Sequence, residues 1–251
     1  MGVREILDAL AEGARGTIMV AAATASAGIV IGIITLTGVG LSFSSLIVTL
    51  SYGHLILALF LTMVASIILG MGVPTAAAYI IVAVLGAPAL ITFGVPVIAA
   101  HMFVFYFAII SGITPPVALA AYAGAGIAHA PPMKTAMYAT LFGLFKFILP
   151  FIFIYNTGLL FIGGIQGTFV AVTISIIVSF QVAILSVGYF NKPIRTIHRG
   201  LLLIPIPLLI YPALYMRLIG LVVLILLLIP FWRKSPAPEF VDSNAAKEPV
   251  T

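Results

Sequence analysis

Leu69-Gly-Met-Gly-Val-Pro-Thr75 and Ser111-Gly-Ile-Thr-Pro-Pro116 are the two stretches that decide how this chain folds. Each interrupts an otherwise apolar run. The run before the first, Leu55–Leu69, is 15 residues long. At ~1.5 Å per residue it covers about 22 Å, short of the ~30 Å hydrocarbon core. The run after it, Thr75–Leu85, is shorter still and meets Gly86-Ala-Pro88. Two short arms joined by a Gly/Pro tip predict a re-entrant hairpin over residues 55–85.

The second stretch lies between Gly94–Ile110 and Val117–Ala128. Together they make about one span, so residues 94–128 read as one helix broken in the middle. Pro115 and Pro116 have no amide donor, which leaves carbonyls one turn upstream unpaired. Gly112 lets the chain swing out of helical geometry. In hydrocarbon each unsatisfied backbone group costs several kcal/mol, so such a break is tolerated where it lines a cavity or meets a ligand.

Composition places these interruptions in a membrane. The chain is 63% hydrophobic and 7% charged, and its mean hydropathy is +1.31. A soluble domain has no interior able to hide that much apolar surface. The segments are continuous apolar runs, not alternating strands, so the fold class is an all-α polytopic membrane protein. Its 251 residues hold roughly six or seven spanning or re-entrant elements of about 20 residues each. The net charge of +5 comes from basic residues at helix ends, as positive-inside loops require, and is no nucleic-acid signal. Cysteine is absent, which excludes disulfides and thiol chemistry.

The acidic residues sit only at the two ends: Glu5, Asp8 and Glu12, then Glu239, Asp242 and Glu248. Between Gly13 and Pro238 there is no side-chain carboxylate. Helices broken without acids offer backbone dipoles and hydroxyls, which points to ion or solute binding rather than acid–base chemistry.

Residues 1–16 read as an amphipathic helix on the membrane surface, with a frayed, solvated leader as the alternative. A first span follows over Thr17–Val39, rich in the small residues that let helices approach closely. Leu41–Ser51 reads as a connection or a helix extension. A long helix is expected over residues 133–160. Residues 168–231 form a C-terminal membrane extension, and residues 232–251 a disordered tail. Asn191–Gly200 holds Lys192, Arg195, His198 and Arg199 and is placed in the cytoplasm. Counting back puts Lys134 inside, the open end of the hairpin outside and the leader inside. A single crossing over Leu201–Phe231, which contains Pro205, Pro207 and Pro212, would put Arg233 and Lys234 outside, against the charge rule.

Leu69-Gly-Met-Gly-Val-Pro-Thr-Ala-Ala-Ala-Tyr79 followed by Gly112-Ile-Thr-Pro-Pro-Val-Ala118 resembles the large membrane subunit of tripartite ATP-independent periplasmic (TRAP) transporters, with the nearest likeness to fused permeases of the TAXI branch. Ile34-Thr-Leu-Thr-Gly-Val-Gly-Leu41, Phe43-Ser-Ser45 and Pro150-Phe-Ile-Phe-Ile-Tyr-Asn156 add to it. The likeness covers Val3–Leu160 and is weaker from Thr168 onward. It implies one inverted-repeat half of an elevator-type transporter, in the inner (plasma) membrane. It also implies that sodium drives uptake of an organic acid delivered by a periplasmic binding protein. The fused permeases are longer and carry a small-subunit region and a first inverted repeat. Sites in such transporters form where two repeats meet. The resemblance therefore implies a membrane partner chain that supplies the missing repeat and small subunit. The alternative is a truncated or accessory membrane subunit without transport of its own.

Sodium is a hard cation and takes oxygen ligands. Carbonyls at Gly70, Met71 and Gly72, and at Ser111, Gly112 and Ile113, supply them, with the Thr75 and Thr114 hydroxyls completing the shell. Helix N-termini beginning at Thr75 and Val117 face a substrate carboxylate, which places Pro74, Thr75, Pro115 and Pro116 beside the substrate. No cofactor is expected beyond Na+ as the coupling ion, and no transition metal. His54 and His101 read as interfacial or hydrogen-bonded neutral residues. Lys146 and Arg217 are each either a contact for a substrate carboxylate or a snorkelling cation. Tyr79, Tyr106, Tyr122 and the Phe103–Phe107 run read as packing or interface-belt residues. A membrane hydrolase needs a nucleophile–base pair or a metal, and Ser111 with His101 lacks an acid to orient the base.

Overall fold

A computed structural model of the chain describes residues 2–231. Among these the backbone is helical apart from turns and one antiparallel ladder, Tyr189–Phe190 (β1) with Lys192–Pro193 (β2). Helix α1, Val3–Thr37, joins the charged leader to the first apolar stretch without a break at the expected residue 16/17 boundary. A lone interior glycine costs a helix only ~1 kcal/mol, too little to end one here. The helix stops at Gly38, whose φ of +70° is the left-handed geometry that favours glycine. Helix α2, Val39–Leu50, leaves at 74° to α1.

Helices α3, Leu55–Gly70, and α4, Thr75–Thr92, pack together as a hairpin around the tip Met71–Pro74. Ala58, Thr62, Ser66 and Gly70 are buried at every fourth position of α3. This stripe of small residues is what close helix approach in a membrane requires. Gly86 on α4 belongs to the same packing: a Cβ there would lie 3.1 Å from Thr62 Cγ2 and 3.3 Å from Val104 Cγ1.

The second arm differs from the sequence expectation. It does not end near Leu85 but runs through Pro88 to Thr92. Pro88 removes a donor from the helix wall. Ser44 of α2 brings one to the neighbouring carbonyl, its hydroxyl donating to Leu85 O at 2.9 Å in a buried contact. A proline is tolerated inside a membrane helix where neighbouring helices bring such hydroxyls to its wall. The arm of 18 residues is long and apolar enough to cross a membrane by itself.

Helix α5, Val97–Ile110, lies at the centre of the main core and packs against α3, α4 and α8. Its Phe103 and Phe107 are fully buried and meet Phe151 edge-on at 5.4 and 6.1 Å between ring centres. An irregular segment, Ser111–Ala118, then leads to α6, Leu119–Ile127. Helices α7, Pro132–Phe142, and α8, Leu144–Tyr155, replace the single long helix expected over residues 133–160. They are separated at Gly143, and a 3-10 turn covers Thr157–Leu160. Together α7 and α8 make a 24-residue span.

Helix α9, Gly164–Val187, anchors a second core, in which Ile174, Val178 and Val182 meet Leu202, Ile206 and Leu209. Gln181 is fully buried there and its Nε2 donates to Leu202 O at 2.5 Å. That carbonyl lies in the turn between α10, Thr196–Leu201, and α11, Pro205–Ile210. The end of α9 is capped by Arg199. Its Nε and Nη2 donate to Leu185 O at 3.0 and 2.6 Å, and Nη2 also donates to Ser186 O at 2.9 Å. Gly188 makes room, with φ +71° and no space for a side chain, since a Cβ would lie 2.8 Å from Arg199 Cζ. Gly188→Ala is expected to cost ~1–3 kcal/mol through backbone strain and the displaced arginine. A lower thermal unfolding midpoint in detergent checks this, and an unchanged midpoint refutes it.

Leu201–Phe231 is not one crossing. The chain turns at Tyr211–Ala213, and α12, Leu214–Leu228, packs back on α11. Gly220 allows this, a Cβ there lying 3.0 Å from Leu208 Cβ. The Phe231 ring ends 5.5 Å from that of His198. Phe231 therefore returns to the face of the basic loop. Arg233 and Lys234 lie just beyond it in sequence, outside the described residues, as does the tail, residues 235–251.

Candidate transport site

Two short helices, α3 and α5, bring the two interruptions together. A Cβ on Gly70 would lie 2.8 Å from Ala108 O and 2.9 Å from Ser111 Oγ. A Cβ on Gly72 would lie 3.7 Å from Val117 Cγ1. The hairpin tip thus packs directly on the break of the second helix, a contact in which any side chain at residue 70 would strike backbone. The Ser111 hydroxyl is buried and donates to Ala108 O at 2.5 Å, which holds the end of α5 at this contact.

A third wall comes from the α7–α8 junction. Thr140 Oγ1 lies 2.9 Å from Ile113 O and 2.9 Å from Ala136 O, within donating distance of both. A Cβ on Gly143 would lie 2.7 Å from Ile113 Cδ1, so the junction is small where Ile113 enters. This wall escaped the sequence reading. Its signal was Gly143 inside an apolar run, the same kind of signal that marked Gly70.

The six expected carbonyls fall into two sets. At the tip, those of Gly70, Met71 and Gly72 receive no hydrogen bond among the described residues. At the break, each has one donor. Thr114 N–H donates to Ser111 O at 3.3 Å, Ala120 N–H to Gly112 O at 2.9 Å, and Thr140 Oγ1 to Ile113 O. A carbonyl has two lone pairs, so the second set keeps one free site each. The hydroxyls differ in the same sense. Thr75 is exposed and makes no hydrogen bond among the described residues, whereas Thr114 donates to Ile110 O at 2.8 Å and keeps its lone pairs for a cation.

The helix starts differ from each other too. Helix α4 begins at Thr75, directly after Pro74, as the sequence predicts. The half-helix after the break begins at Leu119 rather than Val117. Pro115 and Pro116 are joined by a cis peptide, and the Pro116 carbonyl accepts from the Tyr122 hydroxyl at 2.5 Å. On its other side the tip faces α1 across a cavity of about 270 Å³, bounded by Ser26, Ala27 and Val30 and by Gly72, Val73 and Pro74.

Four ionisable residues singled out in the sequence have these surroundings. His101 Nδ1 lies 3.1 Å from the Tyr79 hydroxyl, between α5 and α4. His54 is exposed at the start of α3. Lys146 is exposed on α8, well inside the span over residues 132–155. Arg217 is held in the C-terminal extension, its Nε donating to Tyr211 O at 3.0 Å and its Nη2 to Asn156 Oδ1 at 2.5 Å.

Among the described residues four helices, or five when the bent α1–α2 pair counts as one span, are long and apolar enough to cross a membrane. With two helix interruptions meeting inside the bundle, the chain is a multi-pass membrane protein of the transporter class. Residues 1–168 match the family model of the tripartite ATP-independent periplasmic transporter, DctM component, and the chain belongs to this family. No curated protein and no solved structure matches it. The match takes in both interruptions and all three walls of the site and ends at the start of α9.

Proposed function

We propose that the chain is the permease component of a secondary transporter that takes up an organic acid together with Na+, in the inner membrane. The observation that carries this reading is the contact of Gly70 and Gly72 with Ala108, Ser111 and Val117. It sets the hairpin tip, with its free carbonyls and the α4 N-terminus at Thr75, against the break that carries Thr114, and this supports reading these groups as one site. A cation on the carbonyls and a carboxylate at the helix N-terminus neutralise each other there, which is how broken-helix sites work elsewhere.

The half-site is open on one side. Thr75, Pro74 and Pro116 are exposed. We take this to be the face covered by a partner chain with the first inverted repeat and the small subunit, while a periplasmic binding protein delivers the substrate. The hairpin and the broken helix are then the re-entrant and discontinuous elements of an elevator.

The test is uptake of radiolabelled organic acids into proteoliposomes with the loaded binding protein, with and without a sodium gradient. The chain is reconstituted alone and with any membrane protein encoded beside it. Sodium-dependent uptake only with that partner is the expected result. Uptake by this chain alone would remove the half-site argument. Absence of uptake in every combination would leave an accessory subunit. In the active assembly Thr75→Ala and Thr114→Ala each remove one oxygen ligand, a loss of about tenfold in sodium affinity for a charge-assisted contact. A sodium dependence unchanged in both variants would rule out this ligand set.

A further inference from the structure

A second polar cavity, of about 380 Å³, lies well away from the site described above, where the end of α8 and the start of α9 meet α12. Arg217, Asn156, Thr157 and Gln166 line it. Arg217 is partly buried and fixed: Nε holds Tyr211 O, and Nη2 holds Asn156 Oδ1, which is itself oriented by Asn156 Nδ2 donating to Ile210 O at 2.7 Å. Two of the five guanidinium N–H donors are used in these bonds, so three remain for a ligand. No carboxylate side chain exists between Gly13 and Pro238 to neutralise this cation.

An apolar groove of about 320 Å³ opens beside the polar cavity, between α8 and α11, and Tyr155 lines both. Its walls include Ile148, Phe151, Ile206 and Ile210. A fixed cation in a polar chamber, with an apolar groove on the other side of Tyr155, suits an amphiphile with an anionic head. Arg217 lies in the first turn of α12, beside the start of α9. Helix α9 is 24 residues long, so about 36 Å separate this end from the Arg199 cap. The chamber therefore lies at the end of α9 opposite the basic loop, a separation comparable to the ~30 Å hydrocarbon core.

We propose that this site holds an anionic phospholipid, its phosphate on the Arg217 guanidinium and one acyl chain in the groove along α8 and α11. The planar fork of arginine matches two phosphate oxygens, and the low polarity of the groove makes the pairing stronger than at an open surface. The lipid joins the part of the chain that matches the family model to the extension that lies beyond it.

The experiment is native mass spectrometry of the full chain from mixed nanodiscs of phosphatidylglycerol and phosphatidylcholine. The wild type is expected to retain one phosphatidylglycerol in preference to phosphatidylcholine. Arg217→Gln is expected to lose that preference, with retention falling about tenfold, and Arg217→Lys to recover part of it. Should Arg217→Gln not fold, Gln166→Glu serves instead. Residue 166 is exposed, and a carboxylate there repels the phosphate and lowers retention similarly. Equal retention of both lipids by the wild type, or of phosphatidylglycerol by all variants, overturns the proposal. So does displacement of the lipid by millimolar inorganic phosphate, which would make the site one for small anions.

Discussion

Gly70→Ala is expected to abolish uptake in the assembled transporter while leaving the chain in the membrane. The added methyl group would sit 2.8 Å from Ala108 O and 2.9 Å from Ser111 Oγ, and neither neighbour is the free end of a flexible side chain. The carbonyl belongs to a helix backbone, and the hydroxyl is buried and tied to that same carbonyl. The tip must therefore move off the break. A shift of ~1 Å is enough to disperse a ligand set, and overpacking of this kind costs ~1–3 kcal/mol. The measurement is sodium-dependent uptake beside a thermal unfolding curve in detergent. Uptake at wild-type level would show that the tip and the break do not form one site. Gly72→Ala serves as the companion. Its Cβ has ordinary van der Waals room, 3.7 Å from Val117, but its φ of +76° makes any side chain strained. It should weaken uptake less than Gly70→Ala.

Gly158→Ala should have the largest effect on stability. A Cβ there would lie 2.4 Å from both the carbonyl carbon and the oxygen of Gly167, and 2.8 Å from Thr168 N. Backbone meets backbone at this point, where the 3-10 turn after α8 lies on the first turns of α9. No rotamer change relieves such a clash, so the turn must lift off α9. The cost exceeds the usual ~1–3 kcal/mol of overpacking. The turn also follows Asn156, which holds Ile210 O and Arg217, so its displacement loosens the join between α8 and the C-terminal hairpin. The expected outcome is a large drop in the unfolding midpoint or failure to accumulate in the membrane. Wild-type stability would mean that α8 and α9 do not approach in this way.

Much of the transporter half is visible in the residues themselves. Gly70, Gly72 and Pro74, and then Gly112, Pro115 and Pro116, break apolar runs, and backbone chemistry makes such breaks hard to hide in hydrocarbon. Their adjacency is a tertiary fact. It rests on Gly70 presenting hydrogen to Ala108, and nothing local distinguishes that glycine from one that only ends a helix. The continuation of α4 through Pro88 was illegible for the same reason, because its support is the hydroxyl of Ser44, 41 positions away. The partial satisfaction of the Gly112 and Ile113 carbonyls depends on Ala120 and Thr140, which local reading assigns to other elements. The C-terminal turn was closer to legible. Pro212 disfavours helical backbone at Tyr211, and a stop there divides residues 201–231 into two passes.

The stripe Ala58, Thr62, Ser66 and Gly70 has a mechanical meaning. Helices α3, α4 and α5 share one core, and the residues that touch across it are among the most buried in the protein. A gate that swings on the hairpin tip would have to open this seam and give up the close packing of its small residues. The seam therefore acts as a weld that holds α3, α4 and α5 together as one piece.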